Sequence, residues 1–221
     1  MQVEIWSDVV CPWCYIGKRR FEAALRQFEH ADEVTITWRS FELDPSAPRQ
    51  REGTSSEHLA KKYGLSNAEV KAMQARVTDV AAEEGLTYRL DDTIGGNTFD
   101  AHRLLHLAAS EGKQDVMKET LLHGYFTEGL AIGEPSVLTD LAVRAGLDRA
   151  RASRVLAGTD YTDEVRADER DARRFGLSGV PAFVIDRRIA VVGAEAPAIL
   201  LDALRQAWAA SEGATPLATA K

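Results

Sequence analysis

Residues 7–22 read SDVVCPWCYIGKRRFE, and they stand between two different periodicities. Upstream, QVEIWSD (2–8) places Val3, Ile5 and Trp6 in a short strand-like run. Downstream, from Cys11 to about Glu29, Phe21, Ala24, Leu25 and Phe28 recur at helical spacing. Cys11 and Cys14 therefore fall where a strand hands over to a helix. Cys11 is placed to be the N-cap and Pro12 the first helical residue, where a missing N–H costs nothing. The helix's free N–H groups and the positive end of its dipole then point at the Cys11 sulfur. Only a thiolate is nucleophilic, and a free thiol titrates near about 8.5. The placement predicts that Cys11 ionises below that value and attacks, while Cys14, one turn on and on the same face, is more buried and resolves.

Further along, VTITWRSFEL (34–43) alternates Val34, Ile36 and Trp38 as a strand does, which completes β–α–β. Asp44-Pro45 and Pro48 open a polar loop to about Ser56. From there to about Gly158 the pattern is helical. Ser66 and Glu69 form a capping box ahead of Val70, Met73, Val77 and Val80, with Gly85 as the stop. Asn97 is the expected N-cap for Ala101, Leu104, Leu105 and Ala108, a helix ending at Gly112. Helices are expected over 114–128 and over 136–145, the latter capped by Ser136. Strands return late. After a charged helix at about 161–175, with Val165, Ala172 and Phe175 inward, come AFVID (182–186), a turn at Asp186–Arg188, and IAVV (189–192). Residues 195–210 close the pattern with Ile199, Leu200, Leu204 and Trp208 facing inward. The expected organisation is one α/β domain in two parts, 1–50 and 159–212, split by an all-α insertion over 51–158, with a flexible tail at 213–221.

The 221 residues carry a net charge of −7, and basic and acidic residues are interspersed, which argues against a nucleic-acid partner. Hydrophobic residues make up 45% and no apolar stretch approaches a bilayer span, so no membrane association is expected. No basic, then apolar, leader opens the chain, so a cytoplasmic location is expected. With two cysteines in C-x-x-C spacing, a disulfide scaffold is excluded and a redox pair or half a metal site remains. A zinc site completed by His102 and His106 is the alternative, but the separation matches no compact finger and Pro12-Trp13 suits a redox loop. Gly179-Val180-Pro181 is the second motif. A cis Pro181 opening a strand beside the cysteines would leave the Val180 backbone free to pair with an extended substrate segment.

Together SDVVCPWCYIGKRRFE, FELDP (41–45), NTFDAHRLLHLA (97–108), GVPAFVID (179–186) and VVGAE (191–195) resemble the DsbA family, in its FrnE-type subfamily, over about residues 2–208. The resemblance implies a thioredoxin-like fold, β-α-β then α-β-β-α, interrupted by a helical insertion domain. It also implies protein dithiol–disulfide exchange, with Cys11 as nucleophile and Cys14 as resolver. Pro12, Trp13, Val180 and Pro181 would form the active-site loop and substrate contacts, and Asn97 and His102 part of a lid. No metal and no cofactor are implied beyond the cysteine pair. The expected partners are protein thiols and disulfides, with glutathione or a thioredoxin system as redox partner, and the chain is expected as a monomer or dimer. Glutathione-dependent isomerases and transferases of the hydroxychromene-carboxylate and kappa types resemble the same architecture. They generally carry Ser where Cys11 stands, which disfavours them.

Three departures bear on chemistry. The buried carboxylate that thioredoxins carry six residues before the first cysteine falls on Ile5, leaving Asp8 and Glu4 as nearby candidates to accept the Cys14 proton. Trp13 stands where DsbA itself has His. The further cysteines of some FrnE-type proteins are missing. Since C-x-x-C pairs span about 150 mV between DsbA and thioredoxin, the direction of exchange does not follow from the motif.

Overall fold

The computed structural model describes residues 1–212, so the expected tail at 213–221 lies outside the described residues. A four-stranded sheet has the order β2-β1-β3-β4, with β1 Gln2–Ser7, β2 Thr35–Ser40, β3 Ala182–Ile185 and β4 Ile189–Val192. β1 runs parallel to β2 and antiparallel to β3, and β3 pairs antiparallel with β4. The parallel pair needs a crossover, supplied by α1 (Pro12–Leu25). The β3–β4 hairpin turns through Asp186 and Arg187, both at positive φ.

β1 is central and buried on both faces, which is why it lacks a clean polar–apolar alternation. Val3 and Ile5 face a core built with Phe21, Phe183, Leu200 and Leu204, under α1 and α9 (Pro197–Glu212). Trp6 faces the other way, against Ala172 of α8 (Thr162–Arg174) and Val184.

Between β2 and α8 lies a helical block: α2 (Ser55–Tyr63), α3 (Asn67–Glu83), α4 (Phe99–Ser110), α5 (Gln114–Phe126), α6 (Pro135–Arg144) and α7 (Arg149–Ala157). Its core of Leu104, Leu107, Met117, Leu121 and Leu141 runs on into Val9, Tyr15 and Ile16 beside the cysteines. The block is thereby welded to the start of α1.

Several local expectations are corrected. α1 stops at Leu25, not near Glu29: Gln27 and Phe28 turn through shorter bonds to Ala24 and Leu25, and Phe28 is still buried, edge-on to Trp208. Thr98, not Asn97, is the N-cap of α4, although the Asn97 side chain accepts the Phe99 N–H at 2.9 Å. Glu134 replaces Ser136 as N-cap of α6, because Pro135 already takes the first helical position. Ile199 is half-exposed, while Leu200 and Leu204 are buried. α2 and α7, not separately expected, start at a Thr54–Glu57 capping box and an Asp148 cap.

Candidate active site

Cys11 is the N-cap of α1 in extended backbone (φ −88°, ψ 113°), with Pro12 next. Its Sγ lies 3.6 Å from the Val180 carbonyl oxygen, and the Val180–Pro181 peptide bond is cis. Both cysteines are free thiols and buried, Cys14 the deeper. Gly17, one turn past the pair, lets the Pro181 ring rest directly on α1: a Cβ there would lie 2.8 Å from Pro181 Cγ. The loop is clamped from the helical block, where the Tyr88 hydroxyl donates to the Pro12 carbonyl at 2.6 Å. Trp13 stands out into solvent, 41% exposed.

The two thiols ionise together, so the lowering expected of Cys11 alone is a property of the pair. Hydrogen bonding to Cys14, then burial, then repulsion from Cys14 push the Cys11 thiol well above its ordinary value. Burial also opposes ionisation of Cys14, but the Cys11 hydrogen bond and the nearby Lys118 charge outweigh it and lower its value. The helix terminus favours a Cys11 anion, whereas the second sulfur, burial and the Asp8 charge act against it. For such a pair the first ionisation belongs to both sulfurs.

Around the pair the buried polar groups are dense. Asp8 accepts the Val9 and Leu43 N–H groups at 2.7 and 2.8 Å. Burial raises its value, but His102, the Leu43 N–H and the Lys118 charge bring it below the usual carboxylate range. His102 is fully buried, its Nε2 3.4 Å from Asp8 Oδ1 but too oblique for a hydrogen bond. Glu4 faces Arg39 and Arg187 on the far side of β1, and Ile5 lies in the apolar core. A further buried polar group comes from α5: Lys118, fully buried, donates to the Ser7 carbonyl at 3.4 Å. The Ser7 hydroxyl, without a hydrogen-bond partner among the described residues, stands beside Cys14.

A cavity of about 490 Å³ opens onto Cys11, Pro12, Trp13 and Val180 but not onto Cys14. Its walls are mostly apolar, with Phe126 and Val77 among them, and Arg51, His58 and Lys62 place basic groups along it. That volume falls in the range of about 300–1,000 Å³ found for small-molecule sites. Of the expected site residues, Cys11, Cys14, Pro12, Trp13, Val180 and Pro181 come together. His102 lies behind them with Asp8. Asn97 lies further off, its Nδ2 donating to Glu42 at 3.3 Å. His106 faces Ser40 and Asp168, each at 3.1 Å, and so is turned away from His102's partner. Sequence reading missed Lys118, Tyr88 and Gly17. The one available signal for Lys118 was its register: it shares a helix face with Leu121 and Leu122, both fully buried.

Residues 2–205 match the DSBA-like thioredoxin domain family. The crystal structure of a probable DsbA oxidoreductase from Streptomyces coelicolor is 44% identical, covers 100% of this chain and 94% of its own, and superposes with a TM-score of 0.93. An uncharacterized protein of Bacillus subtilis, YwbO, is 27% identical over 187 residues, 84% of this chain and 86% of that protein. A 2-hydroxychromene-2-carboxylate isomerase structure, 15% identical, shares the fold at a TM-score of 0.70 over 97% of this chain and 100% of its own. With nearly its whole length matched and its C-x-x-C pair seated where strand meets helix, the chain belongs to the DSBA-like thioredoxin domain family.

Proposed function

We propose that this chain is a dithiol–disulfide oxidoreductase acting on protein substrates through Cys11 and Cys14. In the reducing direction the Cys11 sulfur, passing its proton to Cys14 as it attacks, bonds to one sulfur of a substrate disulfide, and the other leaves as a thiolate. Cys14 then loses that proton, which ends in solvent, and attacks the Cys11 sulfur; the Cys11–substrate bond breaks, the second substrate sulfur leaves as a thiolate, and a Cys11–Cys14 disulfide closes. The substrate gains two electrons and the cysteine pair loses two, so no further cofactor or metal enters. The observation that carries this reading is the split in access: Cys11 opens onto the cavity beside the Val180 carbonyl, while Cys14 lies beneath it. Trp13 and Val180 border the approach, and a substrate strand laid against Val180 would bring its sulfur to Cys11. A cytoplasmic setting, with glutathione or a thioredoxin system as exchange partner, would keep the pair as thiols between turnovers. Arg51 and Lys62 would face glutathione's carboxylates.

The cavity also favours a second reading, a glutathione-dependent isomerase or transferase. Insulin reduction and oxidation of reduced RNase separate the two. The exchange reading predicts that Cys11→Ser and Cys14→Ser each abolish turnover. Saturable glutathione binding with isomerisation that survives Cys14→Ser would establish the alternative, and exchange persisting in Cys11→Ser would end the first.

A further inference from the structure

Lys118 is a lysine without a carboxylate partner among the described residues. It is 0% exposed, its Nζ donates one long bond, 3.4 Å, to the Ser7 carbonyl, and it sits 5.4 Å from the Trp38 ring centroid. Lys18, by contrast, is also buried but holds Glu22 and Glu119 directly. A buried ammonium is costly unless paired, and the charges that favour it here are those of Cys14, Asp8 and Cys11. Ile5, on the same strand as Ser7, is buried in hydrocarbon. Asp8 is already committed to two backbone N–H groups and is held ionised by its surroundings. Glu4 is held by two arginines across the sheet.

We propose that Lys118, projected from α5 of the helical block to the Ser7 carbonyl behind the redox pair, takes up the Cys14 proton when Cys14 resolves the mixed disulfide and returns it in the reverse reaction. The proposal rests on the exchange reading above. Once Cys14 has taken the Cys11 proton, Lys118 no longer faces a thiolate and gives its own proton to solvent; in the resolving step Cys14–SH and the neutral Lys118 amine then become Cys14–S⁻ and an ammonium. The thiolate forms a bond to Cys11 sulfur, the Cys11–S–substrate bond breaks, and the substrate leaves as a thiolate. With the Cys14 charge consumed in the new disulfide, the ammonium then gives its proton to solvent.

Burial pulls Lys118 down to about 8, with Cys14, Asp8 and Cys11 pulling back up and Lys18 adding to the fall. His102 faces Asp8 from α4, and Trp38 covers Lys118 from β2. An amine poised there exchanges protons readily near neutral pH, as a buried carboxyl does in other sites.

The test uses the full chain in Cys11→Ser and in Cys11→Ser/Lys118→Met, following thiolate absorbance near 240 nm against pH. The proposal expects the Cys14 midpoint to rise by about 1–3 units when the cation is removed, the shift an adjacent opposite charge produces. In Lys118→Met alone, release of glutathione from a preformed Cys11–glutathione mixed disulfide should slow by about 10²-fold. Lys118→Arg keeps the charge but cannot give up a proton, so it should retain the low Cys14 midpoint and still resolve slowly. An unchanged midpoint and wild-type release in Lys118→Met would overturn the proposal while leaving the exchange reading intact. Exchange persisting in Cys11→Ser would remove that reading instead. Should Lys118→Met not fold, NMR of the ¹³Cε-labelled lysines in the wild type decides. The Lys118 midpoint is expected to be higher with the pair reduced than oxidised, and equal midpoints refute the role.

Discussion

Gly17→Ala puts a single methyl between α1 and the loop that faces the cysteines. The added Cβ would lie 2.8 Å from Pro181 Cγ, 3.4 Å from Pro181 Cβ and 3.5 Å from Phe183 Cζ. The first contact is short of ordinary van der Waals separation by more than half an ångström. Neither neighbour yields easily. Phe183 is fully buried and stacks on Phe21 at 5.4 Å, and the Pro181 carbonyl accepts the Gly193 N–H at 2.8 Å. Replacing glycine by alanine inside a helix gains about 1 kcal/mol, while overpacking a fitted core costs about 1–3 kcal/mol. The net expectation is a loss of about 0–2 kcal/mol, measured by urea unfolding of the reduced protein. The functional effect should exceed the stability effect, because Val180, 3.6 Å from the Cys11 sulfur, moves with its proline. A displacement approaching 1 Å can cost as much as about 10²-fold, so a slowing of insulin reduction by about tenfold is expected for a shift of half that size. A Gly17→Ala protein about 1 kcal/mol more stable than wild type, exchanging at the wild-type rate, would refute the packing argument.

Two further outcomes follow from buried carboxylates. Burial, helped by a neighbouring Glu169 and opposed by Arg166, raises Glu42 to about 7. The folded protein therefore holds that proton more tightly than the unfolded chain, and this contribution to stability is lost as pH rises from about 4.5 through 7. Glu42→Gln should flatten unfolding free energy against pH in that window, and an unchanged slope counts against it. Asp8 behaves oppositely: its lowered value contributes stability above 3.8 that is lost as pH falls below that value. Asp8→Asn should cost about 1–3 kcal/mol at pH 7 by weakening two buried backbone bonds. It should also ease the first ionisation of the thiol pair, since Asp8 repels a Cys11 anion. Thiolate absorbance against pH reads the second effect, and a rise in that midpoint contradicts it.

What was legible in the sequence was what local rules govern. Strand alternation in β2, helical spacing in α1 and a proline at the first helical position are short-range signals, and they placed Cys11 and Cys14 correctly at a strand–helix junction. Val180-Pro181 was legible because glycine and proline punctuate the start of β3. The ionisation of the pair was legible only in part, because a helix terminus is a local cause, while burial and the second sulfur act only after the chain has folded. Lys118 escaped notice because lysine on a helix ordinarily reads as solvated, and nothing within its own segment announces the sulfur it reaches. His102 similarly looks like a helix-flank residue until α4 packs it against Asp8. Ile199 shows the reverse error, an apolar residue at helical spacing that α9 leaves half-exposed.

The account stands on Cys11 meeting the substrate and Cys14 releasing it. Incubating the reduced Cys14→Ser and Cys11→Ser proteins with glutathione disulfide, followed by intact-mass measurement and peptide mapping, tests this directly. One glutathione on Cys11 should accumulate in Cys14→Ser, and Cys11→Ser should stay unmodified on the same timescale. A glutathione carried by Cys14 in Cys11→Ser, formed as fast as the Cys11 adduct, would contradict it.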